Sequence, residues 1–177
     1  MFFITVCLDV ASEYASFVMG RFGIHNLWLI QISHVVGYVL FTMTLTRWQT
    51  AASFRSLQRY AIIPVLLVWV VAKITFAPIT GSDEVGASIL SILIAITAVV
   101  TLVQIADGRG GALLRDPRFL LSGGLLLSSA ASVIFLSVFD RLVGLSREDF
   151  LLIWQVHWGL SAAVNCIYAA GFLMVRR

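Results

Sequence analysis

Residues 87–106 read ASILSILIAITAVVTLVQIA, twenty consecutive positions without a charged side chain. A helix rises about 1.5 Å per residue, so a run of this length covers the roughly 30 Å of hydrocarbon in a bilayer. Four more runs of this kind surround it, at 25–46, 60–78, 119–139 and 150–175. Turn and charge signals bound each one. Arg47 ends the first, and Pro78 with Thr80-Gly81-Ser82-Asp83-Glu84 ends the second. Asp107-Gly108-Arg109-Gly110-Gly111 follows 87–106, Asp116-Pro117-Arg118 opens the next run, and Arg176-Arg177 closes the fifth. Apolar residues make up 60% of the 177-residue chain and charged residues 12%, with a mean hydropathy of +0.98. A soluble domain of that composition lacks the polar surface to cover itself. The expected fold is all-α: one polytopic transmembrane helix bundle spanning 1–177.

Met1 to Met19 leaves the helix count open. Phe2, Phe3, Ile4, Val6, Leu8 and Val10 are apolar, but Asp9, Ser12, Glu13 and Ser16 interrupt them. A secretory signal is a poor reading, because no basic region precedes the apolar core and an acid lies within it. A sixth helix with one acidic stripe is expected if the segment spans, and five helices if it does not. The arginines set the orientation. Arg47, Arg55, Arg59, Arg109, Arg115, Arg118, Arg176 and Arg177 fall on one side, against Arg21, Arg141 and Arg147 on the other. The first set is expected in the cytoplasm, with the C-terminus.

The net charge of +3 and pI near 9.2 come from these dispersed arginines, so the bilayer is the expected partner and nucleic acid is not. Cys7 and Cys166 lie within apolar segments and read as small packing residues, with no disulfide and no metal motif. No linker or soluble domain interrupts the chain. A faint duplication relates 25–78 to 87–139, each a hairpin with an arginine-bearing turn. Small residues let helix backbones approach closely in lipid. Gly124, Ser128 and Ser132 form one such stripe, and Gly159 with Ala163, beside Ser161, Asn165 and Ala169, forms another. The fourth and fifth runs are therefore expected to pack together.

Ionisable groups are expensive in hydrocarbon, so each one invites a functional reading. Asp9 and Glu13 are four apart and share a helix face, where two carboxylates so close would not both ionise readily. Gln31 and His34 lie in the next span, Lys73 in the following one, and Gln155, His157 and Asn165 in the last, while Gln104 stands apart. Glu13, His34, Lys73 and His157 all fall at similar depth in the outer half of the bilayer. The expectation is a water-filled, outward-facing ligand site lined by Asp9, Glu13, Gln31, His34, Lys73, Gln155, His157 and Asn165. Plainer readings exist for several of them. Lys73 is near enough to a helix end to snorkel, and His34 alone reads as a hydrogen-bonded packing residue. Trp28, Trp48, Tyr60, Trp154 and Trp158 suit the interfacial belt.

The sequence carries no H-E-x-x-H, no G-x-S-x-G and no phosphate-cradling glycine loop, so no catalytic residue and no metal site are expected. No cofactor is expected either, although a b-type haem between His34 and His157 is the one that matched depth would allow.

Asp116-Pro117-Arg118-Phe119, Gly123-Gly124-Leu125-Leu126, and Leu152-Ile153-Trp154 with His157, Asn165, Tyr168 and Gly171-Phe172-Leu173 resemble a group of small, largely uncharacterised bacterial membrane proteins. Asn26-Leu27-Trp28-Leu29-Ile30 fits the same group, while a glutamate common in its following helix is absent here. Members are often encoded beside sensor histidine kinases. The resemblance implies a bacterial inner-membrane protein and tilts the functional expectation toward a non-enzymatic sensory or ligand-binding accessory. A membrane sensor kinase and a second copy of the chain are the partners it leaves open. A proton-coupled carrier or channel is the alternative, with Asp9 and Glu13 loading protons.

Overall fold

In lipid, every backbone amide has to be satisfied within its own segment, and the hydrocarbon-length runs are accordingly helical. The computed structural model describes residues 2–75, 84–108, 113–142 and 147–175. They form α1 (Phe2–Arg21), α2 (Leu27–Trp48), α3 (Ala52–Thr75), α4 (Glu84–Asp107), a 3-10 turn at Leu113–Arg115, α5 (Pro117–Leu142) and α6 (Arg147–Val175), with no strand among the described residues. Helices α2 to α6 are each long and apolar enough to cross a membrane. The chain is a multi-pass membrane helix bundle. Residues 76–83, Arg109, Gly110, Gly111, Arg176 and Arg177, used above for boundaries and orientation, lie outside the described residues.

Phe2–Arg21 builds a sixth rod. Thr5 and Ser16 of α1 are buried, and α1 packs along α2. Its start is held by an aromatic cluster, in which Phe2 stacks on Trp48 at 5.6 Å and meets Phe41, Tyr168 and Phe172 at 5.5–6.0 Å. Its far end closes with a Schellman turn, where Ile24 N donates to Met19 O at 2.9 Å. That geometry needs the left-handed backbone of Gly23, at φ +68. Asn26 then reaches back, its Nδ2 donating to Ser16 O at 2.6 Å. Held at both ends, α1 lies antiparallel to α2, and its start shares a side of the bundle with the end of α6.

The centre of the bundle is the α2–α4–α5 succession. Tyr38, Phe41 and Leu45 of α2 meet Leu90, Ile94 and Ala98 of α4, and Leu121 and Leu125 of α5 continue toward Val164 and Tyr168 of α6. On α4 the buried positions Ala87, Leu90, Ser91, Ile94, Thr97, Ala98, Thr101 and Ile105 repeat every three or four residues, one helical face. Small hydroxyl residues are part of this core, and their hydroxyls bond the preceding turn, as when Thr97 donates to Leu93 O and Thr101 to Thr97 O.

Helices α5 and α6 pack closely, as their small residues predict, but α6 uses another face. A Cβ on Gly124 would lie 2.8 Å from the Tyr168 ring, and one on Gly171 would lie 2.8 Å from Leu121. Around Gly159 there is open space, and Ser161, Ala163, Asn165 and Ala169 are exposed. Cys7 and Cys166 are free and exposed, so they are outward-facing residues and not packing ones.

Helix α3 differs most from expectation. It starts at Ala52 and not near 60, which leaves only residues 49–51 as its link to α2. Arg55 and Arg59 therefore stand on its first two turns. Ile62 is its only buried core residue, whereas Ile63, Leu67, Val71 and Ile74 all face outward. Pro64 lies inside the helix and removes one rung of its backbone ladder.

Candidate functional site

The expected polar residues fall at different helix interfaces. Asp9 faces α2 across a cavity of about 150 Å³ that also takes in Thr5, Ser12, Ser33 and Gly37. Glu13, one turn on, is exposed. Gln31 is buried on α2, and His34 is partly buried one turn further along. His157 stacks on Phe135 between α6 and α5, with ring centroids 4.4 Å apart. Gln155 and Asn165 are exposed on α6. Lys73 stands apart from all of these, between α3 and α4. Neither of the two cavities that holds one of these residues holds a second.

For a haem held by both histidines, the arrangement is unhelpful. His157 lies between α6 and α5, whereas α2, which carries His34, packs chiefly on α1, α3 and α4. Among the described residues, no three of His, Cys, Asp and Glu come together as a metal site.

Beside Lys73 a groove of about 480 Å³ opens between α3 and α4. Pro64, Val65, Val68, Trp69, Ala72 and Lys73 line one wall, and Val85, Gly86, Ile89, Leu90 and Leu93 line the other. Lys73 is the only charged group among them. Its Nζ is fully covered and lies 5.6 Å from the centroid of the Trp69 ring, within cation–π range. The ammonium is therefore folded into the wall and does not snorkel outward. A volume of this size is in the range of small-molecule pockets.

At its other end α3 is fastened by a polar network that sequence reasoning missed. Gln104 Oε1 on α4 accepts from Thr50 N at 2.9 Å and Ala51 N at 3.0 Å, and Thr50 Oγ1 reaches it at 3.4 Å. Gln49 Nε2 donates to Gln58 Oε1 at 2.6 Å and to Thr101 Oγ1 at 3.0 Å. Arg59 Nε donates to Thr46 Oγ1 at 3.1 Å. The available signal was Gln104 itself, an amide near the end of an otherwise apolar run. The next turn is secured by Asp116, whose Oδ1 accepts from Arg118 N at 2.9 Å while Oδ2 pairs with the Arg118 guanidinium at 3.3 Å. Asp116 is the N-cap of α5, with Pro117 at the first helical position.

Helix α3 is thus clamped to α4 near Ala51 and parted from it beyond Pro64. A lever of this shape can convert occupancy of the groove into movement of one helix, because a ligand that prefers the parted arrangement shifts the population toward it.

Compared with known protein families, curated proteins and solved structures, the chain finds no match.

Proposed function

We propose that this chain is a non-enzymatic sensory or ligand-binding protein of the bacterial inner membrane. Its ligand enters the α3–α4 groove, and α3 is the element that responds. The observation that carries this reading is the division of α3 into a clamped end at Gln104 and a parted end with an apolar cavity beside it. The arginine-bearing turns, placed in the cytoplasm by their charge, are the surface offered to a membrane sensor kinase. The site differs from the eight-residue chamber expected above, since only Lys73 of that set lines it.

The test uses a Val68→Cys, Ile89→Cys pair across the groove, in a chain whose own Cys7 and Cys166 are replaced by serine. Oxidation should hold α3 against α4 and change the autophosphorylation of a co-purified sensor kinase, and reduction should reverse the change. A kinase that neither co-purifies nor responds removes the signalling reading.

Transport is the second reading, favoured by the Asp9 cavity between α1 and α2, where the hydroxyl residues Thr5, Ser12 and Ser33 surround a carboxylate. It predicts pH-driven flux in proteoliposomes that an Asp9→Asn, Glu13→Gln double variant abolishes. No flux at any imposed gradient counts against it.

A further inference from the structure

The cavity of about 150 Å³ between α1 and α2 brings Asp9, Ser12 and Ser33 to one place. The Ser12 hydroxyl donates to Asp9 O and the Ser33 hydroxyl to Leu29 O, both at 2.8 Å. A hydroxyl has one hydrogen and two lone pairs, so each serine keeps acceptor capacity alone. An ionised carboxylate accepts only as well. Apart from these three and the buried Thr5, the lining is apolar, and no basic side chain belongs to it. Asp9 lies seven residues into α1 and Ser33 six into α2, so each stands roughly 10 Å from a helix end, at hydrocarbon depth. A carboxylate there is costly until something positive neutralises it. A proton would do so without further oxygens or space. Here two helices supply both: acceptors from three side chains, around a volume with room for an ion and a few waters. Hard cations take oxygen ligands of this kind. One carboxylate balances one positive charge and would leave a divalent ion uncompensated.

We infer that the Asp9 cavity binds a monovalent alkali cation, of the size of Na⁺. Asp9 supplies the charge, Ser12 and Ser33 supply neutral oxygens, and water completes the shell. The site is separate from the α3–α4 groove. It shares its cavity with the transport reading but does not depend on it, because equilibrium binding asks for no flux. An ion that binds without being moved leaves this site standing and ends the transport reading.

The experiment measures radioactive Na⁺ bound to the purified full chain by scintillation proximity, in N-methylglucamine buffer at about pH 9, well above the ordinary carboxylate range. Binding should saturate at one ion per chain, and unlabelled Na⁺ should displace it at lower concentration than Ca²⁺ does. Asp9→Asn should abolish it. Ser12→Ala and Ser33→Ala should each weaken it roughly fivefold, the worth of one neutral polar contact. Glu13→Gln, exposed and outside the cavity, should keep it. Circular dichroism melts of the variants check that the bundle is intact. No saturable binding by the unmodified chain overturns the inference and leaves the proton as the occupant of Asp9. Binding that survives Asp9→Asn, or that Glu13→Gln removes equally, overturns it too. Serine variants that bind as tightly as the unmodified chain reduce the site to a carboxylate gathering counterions, and displacement by Ca²⁺ below the Na⁺ concentration overturns the choice of a monovalent ion.

Discussion

Replacing Gln104 by leucine removes the acceptor shared by the Thr50 and Ala51 amides, the contact that fastens the start of α3 to α4. The leucine fills a similar volume, so the change is chiefly the loss of two neutral hydrogen bonds. Each contributes about 0.5–1.5 kcal/mol, and the Thr50 bond is exposed, so the pair together should be worth about 1–2 kcal/mol. That corresponds to about a 5–30-fold easier opening of the first turn of α3. Amide hydrogen exchange in nanodiscs reads it directly. Residues 50–55 should lose protection by that factor, while the core of α5 around Leu121 and Leu125 keeps its own. Gln104→Glu supplies the contrast: it retains an acceptor and places a negative charge at the start of α3, favourable by about 0.3–1 kcal/mol, so protection should be kept or raised. If the leucine variant protects residues 50–55 as well as the unmodified chain does, Gln104 is not the clamp, and the lever built on it fails.

Three other outcomes follow from the packing. Gly124→Ala should cost about 1–3 kcal/mol in mixed-micelle unfolding, because its Cβ meets the Tyr168 ring at 2.8 Å and Ile167 at 3.2 Å. Gly159→Ala, with nothing within 4 Å, should be neutral or slightly stabilising. Asp116→Ala should destabilise the start of α5 by about 0.5–2 kcal/mol, whereas Asp116→Asn keeps the capping oxygen and loses only the Arg118 pair, measured by the same unfolding assay.

The hydrophobic runs were legible because bilayer thickness imposes a length that few other structures demand, and residues 87–106 meet it without a charge. Gly124 was legible for a related reason, since a missing side chain lets a neighbouring backbone approach. Azimuth was not. Depth can be counted along a sequence, which is why Glu13, His34, Lys73 and His157 seemed to gather. The direction each points depends on how its helix is rotated, and that is set by neighbours elsewhere in the chain. Asp9 turned toward α2, His157 toward Phe135 and Lys73 toward α4. The same blindness misplaced the contact face of α6, where Val164, Tyr168 and Gly171 pack inward and the small-residue stripe faces out. The early start of α3 was hidden because its polar first turns are held by Gln104, a residue more than fifty positions away.

The cluster around Phe2 has a bearing on biogenesis. Tyr168 and Phe172 belong to α6, so part of the surface that holds α1 does not yet exist when α1 leaves the ribosome. Until α6 is inserted, α1 can lean only on α2. Assembly of the six rods is therefore a clasp whose two halves are made far apart in time, and a nascent chain interrupted before α6 would present quality-control proteases with an unlatched first helix.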